Sequence, residues 1–360
     1  MEEKLDLYTD YLLSSFGQAS ATGLSRLVGG EVSHDSITRW LSGEELTSKT
    51  LWQKVKPIVR KHQAEDACLI FDDTVIEKPY TDENEMVCWH FDHSKGRSVK
   101  GVNMLNAFYH TQAPGENMPL RLPIGFQLIL KTVLYFDTET KKEKRKSAVT
   151  KNEMMREMIG RAIRNQLKFR YVLADNWFAS AENMRFIQGK GKFFVFDMKA
   201  NRKAALSEVD RNAGRWTRID ALDIPDNTPV KVWLKDLGFP VLLTKQAFTN
   251  KGRSTGTRFL VSNDFSLSDD GFTALYKKRW GVEEYHKCLK QNAAVAGSPT
   301  RTVRTQGNHI FASIMAYVKL EKLKFPSGMN HFAMKAKIYL AANRAALNEL
   351  NALKAIAPNA

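Results

Sequence analysis

The chain has 360 residues, with 54 Lys and Arg against 39 Asp and Glu, a formal net charge of +15. A composition 43% hydrophobic and 26% charged excludes wholesale disorder, and the length allows two or three domains of roughly 100–200 residues each. No apolar run approaches the ~20 residues that span a bilayer, and the acidic opening Met1-Glu-Glu-Lys does not read as a signal peptide, so a cytoplasmic protein with no membrane partner is expected. Cys68, Cys88 and Cys288 are odd in number, widely spaced and without a CxxC pair, which argues against a disulfide framework or a structural zinc site. The positive surplus points to a polyanion, nucleic acid ahead of anionic membrane. Residues 1–60 hold seven Lys/Arg and eight Asp/Glu, so the surplus belongs to the body of the chain that follows.

Residues 4–62 read as short helices. Leu5, Tyr8, Leu12 and Leu13 form one apolar stripe, and Leu24, Leu27 and Val28 a second. Gly29-Gly30 breaks the pattern, Ser33-His34-Asp35-Ser36 offers N-cap chemistry for a helix through Ile37, Trp40 and Leu41, and Ser42-Gly43 ends it. This is the outline of a helix-turn-helix with Ser36, Thr38 and Arg39 toward a DNA groove; a packing or dimerisation bundle is the other reading. From residue 65 the period changes. Ala67–Phe71 is a buried-strand run that stops at Asp72-Asp73-Thr74, and 102–109 and 122–130 are two more strands. The segment 89–100 reads as a loop between strands, its aromatic and basic residues (Lys95, Arg97, Lys100) tracking a phosphate backbone. His90 and His93 lack a third ligand for a metal and read as hydrogen-bonding or DNA-facing. The run 141–146 is expected to open a basic helix, within a stretch (131–170) of local charge +7. Strands follow at 169–174, ending at Asp175, and at 193–196, with Lys199, Arg202 and Lys203 placed to face DNA. Residues 201–263 read as a β-rich insertion, 275–290 as a strong helix, and 307–324 and 331–356 as a terminal helical pair split by Pro326-Ser327-Gly328.

Asp72 and Asp175 each follow an apolar strand, where ligands commonly bind in α/β proteins. Two such carboxylates with a third from a helix are suited to hard divalent cations, and two metals ~4 Å apart are suited to phosphodiester cleavage. Tyr276, Arg279, Glu283 and Lys290 fall within roughly a 60° sector of one helix face at about 100° per residue. A carboxylate is thereby flanked by two cations and a phenol on one stripe, the requirement of a metal ligand among phosphate-binding groups, whereas Glu284 points ~100° away.

The run Tyr276-Lys-Lys-Arg279-Trp-Gly-Val-Glu283-Glu-Tyr-His-Lys-Cys-Leu-Lys290 resembles the Y-(2)-R-(3)-E-(6)-K signature of Insertion Sequence 4 family transposases. Asp72-Asp73-Thr74 resembles the first-aspartate motif of those DDE enzymes, and Leu173-Ala174-Asp175-Asn176-Trp177-Phe178 the second. The resemblance covers about residues 65–300. It implies an α/β protein: a ribonuclease H-like mixed sheet with flanking helices over 65–200 and 264–302, with a β-rich insertion over 201–263; the residue patterns add a helical N-terminal segment over 1–64 and C-terminal helices over 303–360. It implies a catalytic, metal-binding triad of Asp72, Asp175 and Glu283 holding two Mg²⁺ or Mn²⁺ ions, with Tyr276, Arg279 and Lys290 on phosphates near the cleaved end. Asp72 is favoured over Asp73 because Thr74 lies two residues on, and alternation sends the two aspartates to opposite faces.

The activity implied is cut-and-paste transposition: cleavage at the element's end, a hairpin intermediate, then insertion into target DNA. The partners implied are double-stranded DNA, as terminal inverted repeats and target, and a second copy in a synaptic homodimer; the protein is then nucleoid-associated when bound to DNA. Members of this family stack a flipped base on an aromatic residue. Trp177, Trp216 and Trp233 are the candidates here, though each also reads as core packing. A DNA-binding repressor or architectural protein without cleavage activity is the alternative. A ribonuclease H-like repair nuclease accounts for the metal chemistry but not for the signature helix.

Overall fold

The computed structural model describes residues 2–92, 95–112, 115–249 and 255–356. Its elements in chain order are α1 (Glu2–Ser14), α2 (Ala21–Leu27), α3 (His34–Leu41), α4 (Ser48–His62), β1 (Cys68–Glu77), β2 (Cys88–Asp92), β3 (Arg97–Thr111), β4 (Leu120–Leu128), β5 (Val133–Asp137), β6 (Lys142–Lys146), α5 (Lys151–Arg164), β7 (Tyr171–Ala174), α6 (Ala181–Gly189), β8 (Phe193–Met198), β9 (Lys203–Ala205), α7 (Glu208–Asn212), β10 (Thr217–Arg218), β11 (Val230–Leu234), β12 (Val241–Thr249), β13 (Thr255–Ser262), α8 (Asp269–Asn292), α9 (Val303–Ser327) and α10 (His331–Ile356). None of the described helices is long and apolar enough to cross a membrane. The chain divides into two compact units, one of Met1–Lys54, Val75–Asn103 and Glu284–Ala360, the other of Val55–Thr74 and Met104–Glu283.

The second unit is built on a mixed sheet. β1, β7 and β8 are parallel neighbours, fully buried apolar runs such as Tyr171–Ala174 serving as their central pairing segments. β3 lies beside β1, and β4 pairs antiparallel with β3. On the other side β13 pairs antiparallel with β8, and β12, β11, β9 and β10 follow, so the strands of 201–263 extend the same sheet. The order β4-β3-β1-β7-β8 with flanking helices is a ribonuclease H-like arrangement. α5 starts on a capping box: the Thr150 side chain accepts from the Glu153 N–H, and the Glu153 carboxylate accepts from the Thr150 N–H.

Three sequence expectations are corrected here. β1 does not stop at Asp72; it continues to Glu77 because the alternation of buried and half-buried residues runs on through Thr74 and Ile76. Residues 141–146 open no helix. Lys142–Lys146 form β6, which pairs with β5, because Asp137 accepts from the N–H groups of Glu139 and Thr140 and Lys141 takes a left-handed φ of 52°, closing a hairpin turn. The loop expected over 89–100 is also a hairpin, of β2 with β3: Cys88 and His90 point inward while Trp89 and Phe91 are exposed. His90 is therefore buried, and His93 lies outside the described residues.

The first unit packs α1 and α10 on α9. Leu5, Tyr8, Leu12 and Leu13 are buried as a single stripe, but of the second expected stripe only Leu24 is buried and Leu27 is exposed. The Ser33 side chain caps α3 by accepting from the Ser36 N–H, and Gly29 and Gly30 both take positive φ. Asn308 of α9 accepts from the Leu46 N–H at 2.9 Å and donates to the carbonyls of Leu41 at 2.8 Å and Glu44 at 3.0 Å. It thereby satisfies the last carbonyl of α3 and two backbone groups of the connection to α4. His309 beside it is buried, with Nδ1 3.0 Å from the Tyr8 hydroxyl and Nε2 3.0 Å from the Ala294 carbonyl.

Candidate active site

The register of the parallel strands creates the site. Phe71 of β1 is paired with Ala174 of β7, and Ala174 with Phe196 of β8. One residue past these pairs comes a carboxylate: Asp72 and Asp197 within β1 and β8, and Asp175 directly after the end of β7. In-register residues of adjacent parallel strands point to the same face with backbones ~4.8 Å apart, so three acids form a row across the sheet. Asp197 directly follows the apolar run Phe193–Phe196 and lies in no motif. The same signal that marked Asp72 and Asp175, an acid directly after a buried-strand run, marks it too.

Burial first, and then the Asp175 charge, push the Asp72 carboxyl up to about 8. Asp175 and Asp197 are also raised, chiefly by burial, although Asp175 accepts from the Trp177 N–H at 3.0 Å and Asp197 from the Asn176 side chain at 3.2 Å. Asp73 pairs with the Lys151 ammonium at 2.8 Å, and its charge still raises both Asp72 and Asp175. Within the row only Asp72 is also raised by a neighbouring member, Asp175. All the row's donors are oxygens, the type that hard divalent ions take.

α8 brings the remaining charges to the row. Arg279 donates to Glu283 at 2.6 Å, one helical turn on, and both interact electrostatically with Asp72. Burial opposes the Arg279 charge, but Tyr276, Asp72 and Glu283 more than offset it, so its pKa is raised. Its Nε is buried with no hydrogen-bond partner among the described residues. Tyr276 is only 4% exposed; its ring lies 5.1 Å from the Arg279 guanidinium and 4.9 Å from that of Arg258, and burial pushes its hydroxyl up to about 12. With Glu283 turned to Arg279, no group of three or more His, Cys, Asp or Glu among the described residues is arranged to hold a metal ion as it stands. The donors match divalent cations in chemistry, as carboxylate oxygens, and Glu283 would have to exchange its partner to join them.

Asp72, Asp175, Glu283, Tyr276 and Arg279 thus share the second unit and one charge cluster. Lys290, Lys95, Arg97, Lys100 and Arg39 belong to the first unit. There Lys95 pairs with Glu77, while Arg39 in the last turn of α3, Arg97 and Lys290 are exposed and Lys100 is half-buried. Trp177 corrects the core-packing reading: it is 49% exposed, with the ammoniums of Lys151 and Lys199 at 5.4 and 5.5 Å from its ring. Trp216 and Trp233 are half-buried, and Arg211 lies over the Trp233 ring.

A ribonuclease H-like sheet with carboxylates at the ends of its parallel pairing segments has the architecture of an enzyme that cuts polynucleotides. The chain belongs to the DDE superfamily endonucleases, whose family it matches over residues 1–234. It is a transposase-like nuclease, and the substrate class that goes with that family is DNA. No individual curated protein matches the sequence. The family match includes Asp72 and Asp175; Glu283 lies beyond it.

Proposed function

We propose that this protein is a DNA transposase that cleaves at the ends of its element and transfers the freed strands into target DNA, cut-and-paste through hairpin ends, with two copies pairing the two ends. The observation that carries this reading is the in-register row of Asp72 and Asp175 with Arg279 and Glu283 of α8 in electrostatic reach of it. In this reading Asp72, Asp175 and Glu283 hold Mg²⁺ or Mn²⁺, and those ions, when bound, supply activation of the attacking water and stabilisation of the leaving oxygen.

The side chains do the rest. Arg279 offers its buried Nε–H to a phosphate oxygen, and Tyr276 beneath it fixes the plane of the guanidinium. A phosphate arriving at Arg279 competes with Glu283 for the same cation, so substrate binding releases the carboxylate toward the acid row. Lys151 pairs with Asp73, whose charge bears on Asp72 and Asp175, and keeps its own ammonium beside Trp177. Lys290, Lys95, Arg97, Lys100 and Arg39 serve as phosphate contacts outside the cluster.

The test is cleavage of DNA carrying the element's terminal inverted repeats in Mg²⁺ or Mn²⁺. Nicking at the repeat ends, lost in Asp175→Ala and Glu283→Gln, is the expected result. Binding without nicking would favour the repressor reading, and cleavage indifferent to the repeats would favour a repair nuclease.

A further inference from the structure

We propose that the β5–β6 hairpin is a DNA-holding ribbon, its lysine face laid on the phosphate backbone of the duplex that flanks the scissile bond. This rests on the reading of the protein as a DNA-cleaving enzyme and adds to it an element and a partner surface. The two strands form a sheet of their own, separate from the large one. No residue of either strand is buried, and Leu134 and Phe136 are 56% and 62% exposed. An isolated two-stranded hairpin is marginal in water, so the core does not account for what this one carries.

Its register sorts the side chains by face. Val133 is opposite Lys146, Tyr135 opposite Lys144 and Asp137 opposite Lys142, while the reverse face pairs Leu134 with Arg145 and Phe136 with Glu143. The first face therefore carries three lysines, an aromatic ring and one carboxylate. Asp137 is occupied at the turn, where it pairs with Lys144 at 2.5 Å, and the Lys146 ammonium lies 5.4 Å from the Tyr135 ring. Lys142 and Lys146 sit at opposite ends of this face. A duplex presents one negative charge per ~1.7 Å of its axis, and a two-stranded ribbon is one of the few elements whose width suits a DNA groove.

Chain connectivity fixes where such contacts fall. β6 ends at Lys146 and α5 starts at Lys151, whose ammonium bonds Asp73 next to Asp72. Five residues reach at most about 18 Å, roughly half a turn of duplex, so the phosphates held by the base of the ribbon lie close to the bond that is cut.

The experiment compares the full chain with its Lys142→Ala/Lys146→Ala variant on a 30-bp mixed-sequence duplex, by fluorescence anisotropy across ~0.05–0.3 M KCl. Each phosphate contact contributes about 0.9 to the slope of log K against log salt, so the variant's slope is expected to be shallower by about 1.8. With the two lines meeting at 1 M, that is roughly a thirtyfold loss of affinity at 0.15 M. Both lysines lie on a ribbon without buried residues, so an unchanged thermal melt is expected alongside. If the parent binds and the variant binds with the same slope and affinity, the ribbon proposal is overturned and the DNA-enzyme reading stands. If the parent itself does not bind the duplex, both fall.

Discussion

Asp72 and Asp73 are adjacent in one strand, and alternation gives them different partners: Asp72 joins the acid row, while Asp73 pairs with Lys151. Asp72→Ala is expected to lower cleavage at least ~10³-fold with DNA binding retained, and Asp73→Ala to cost less than ~10-fold. A cleavage assay returning the reverse order would transfer the metal-ligand role to Asp73. His309 supplies a second test at this scale. Burial, with the nearby Lys78 charge, depresses its pKa to about 4, so between pH 6.5 and 4 the unfolded chain binds a proton that the folded chain refuses. Stability should therefore fall as pH drops through that window, by roughly 1.4 kcal/mol per pH unit. Urea midpoints measured across the range should show the slope, and His309→Gln should flatten it. Asp72, Asp175 and Glu283 were legible as candidates from strand ends and helical spacing. Asp197 follows a strand run in the same way but lies in no motif, and it is the register of β8 that brings it to the same edge as the others.

At the scale of elements, α8 delivers a cation and a carboxylate to the same row, and each restrains the other. Arg279→Ala leaves Glu283 and Asp72 without that countercharge. The variant should cleave at least ~10²-fold less, yet gain more thermal stability from added Mg²⁺ than the parent does, since divalent ions then face uncompensated carboxylates. A smaller gain, read by differential scanning fluorimetry, would show that Arg279 helps the cations bind rather than competing with them. Asn308 is the corresponding anchor of the N-terminal helices. Asn308→Ala abandons three hydrogen bonds to backbone groups at the end of α3 and in its connection to α4, and a cost of roughly 2–3 kcal/mol in chemical denaturation is expected. Long periodic helices, buried strands and the Ser33 cap were all readable from the sequence. The β5–β6 hairpin was not, because Lys, Glu and Arg are good helix formers and a run of them outweighs the cue in the Asp137 turn. β2 was hidden for a related reason: its exposed Trp89 and Phe91 resemble a nucleic-acid loop until pairing with β3 shows them to be one side of a strand.

For the molecule as a whole, the charge surplus and the acid row make opposite demands on the same ligands. A net charge of +15 draws in DNA, whereas the carboxylates repel phosphate unless cations screen them. Mg²⁺ is accordingly expected to tighten binding to DNA carrying a scissile phosphate more than binding to an uncleavable duplex, and the difference should vanish in Asp72→Asn/Asp175→Asn. Equal tightening for both DNAs would place the ion effect outside the acid row. The division of labour extends to inheritance. Every position in Val133–Asp137 and Lys142–Lys146 is exposed or half-buried, so substitutions there meet almost no packing penalty. Drift in those ten residues is open to selection by ligand alone, and hairpins exchanged between related chains would alter how tightly DNA is gripped while leaving the folding energy nearly untouched.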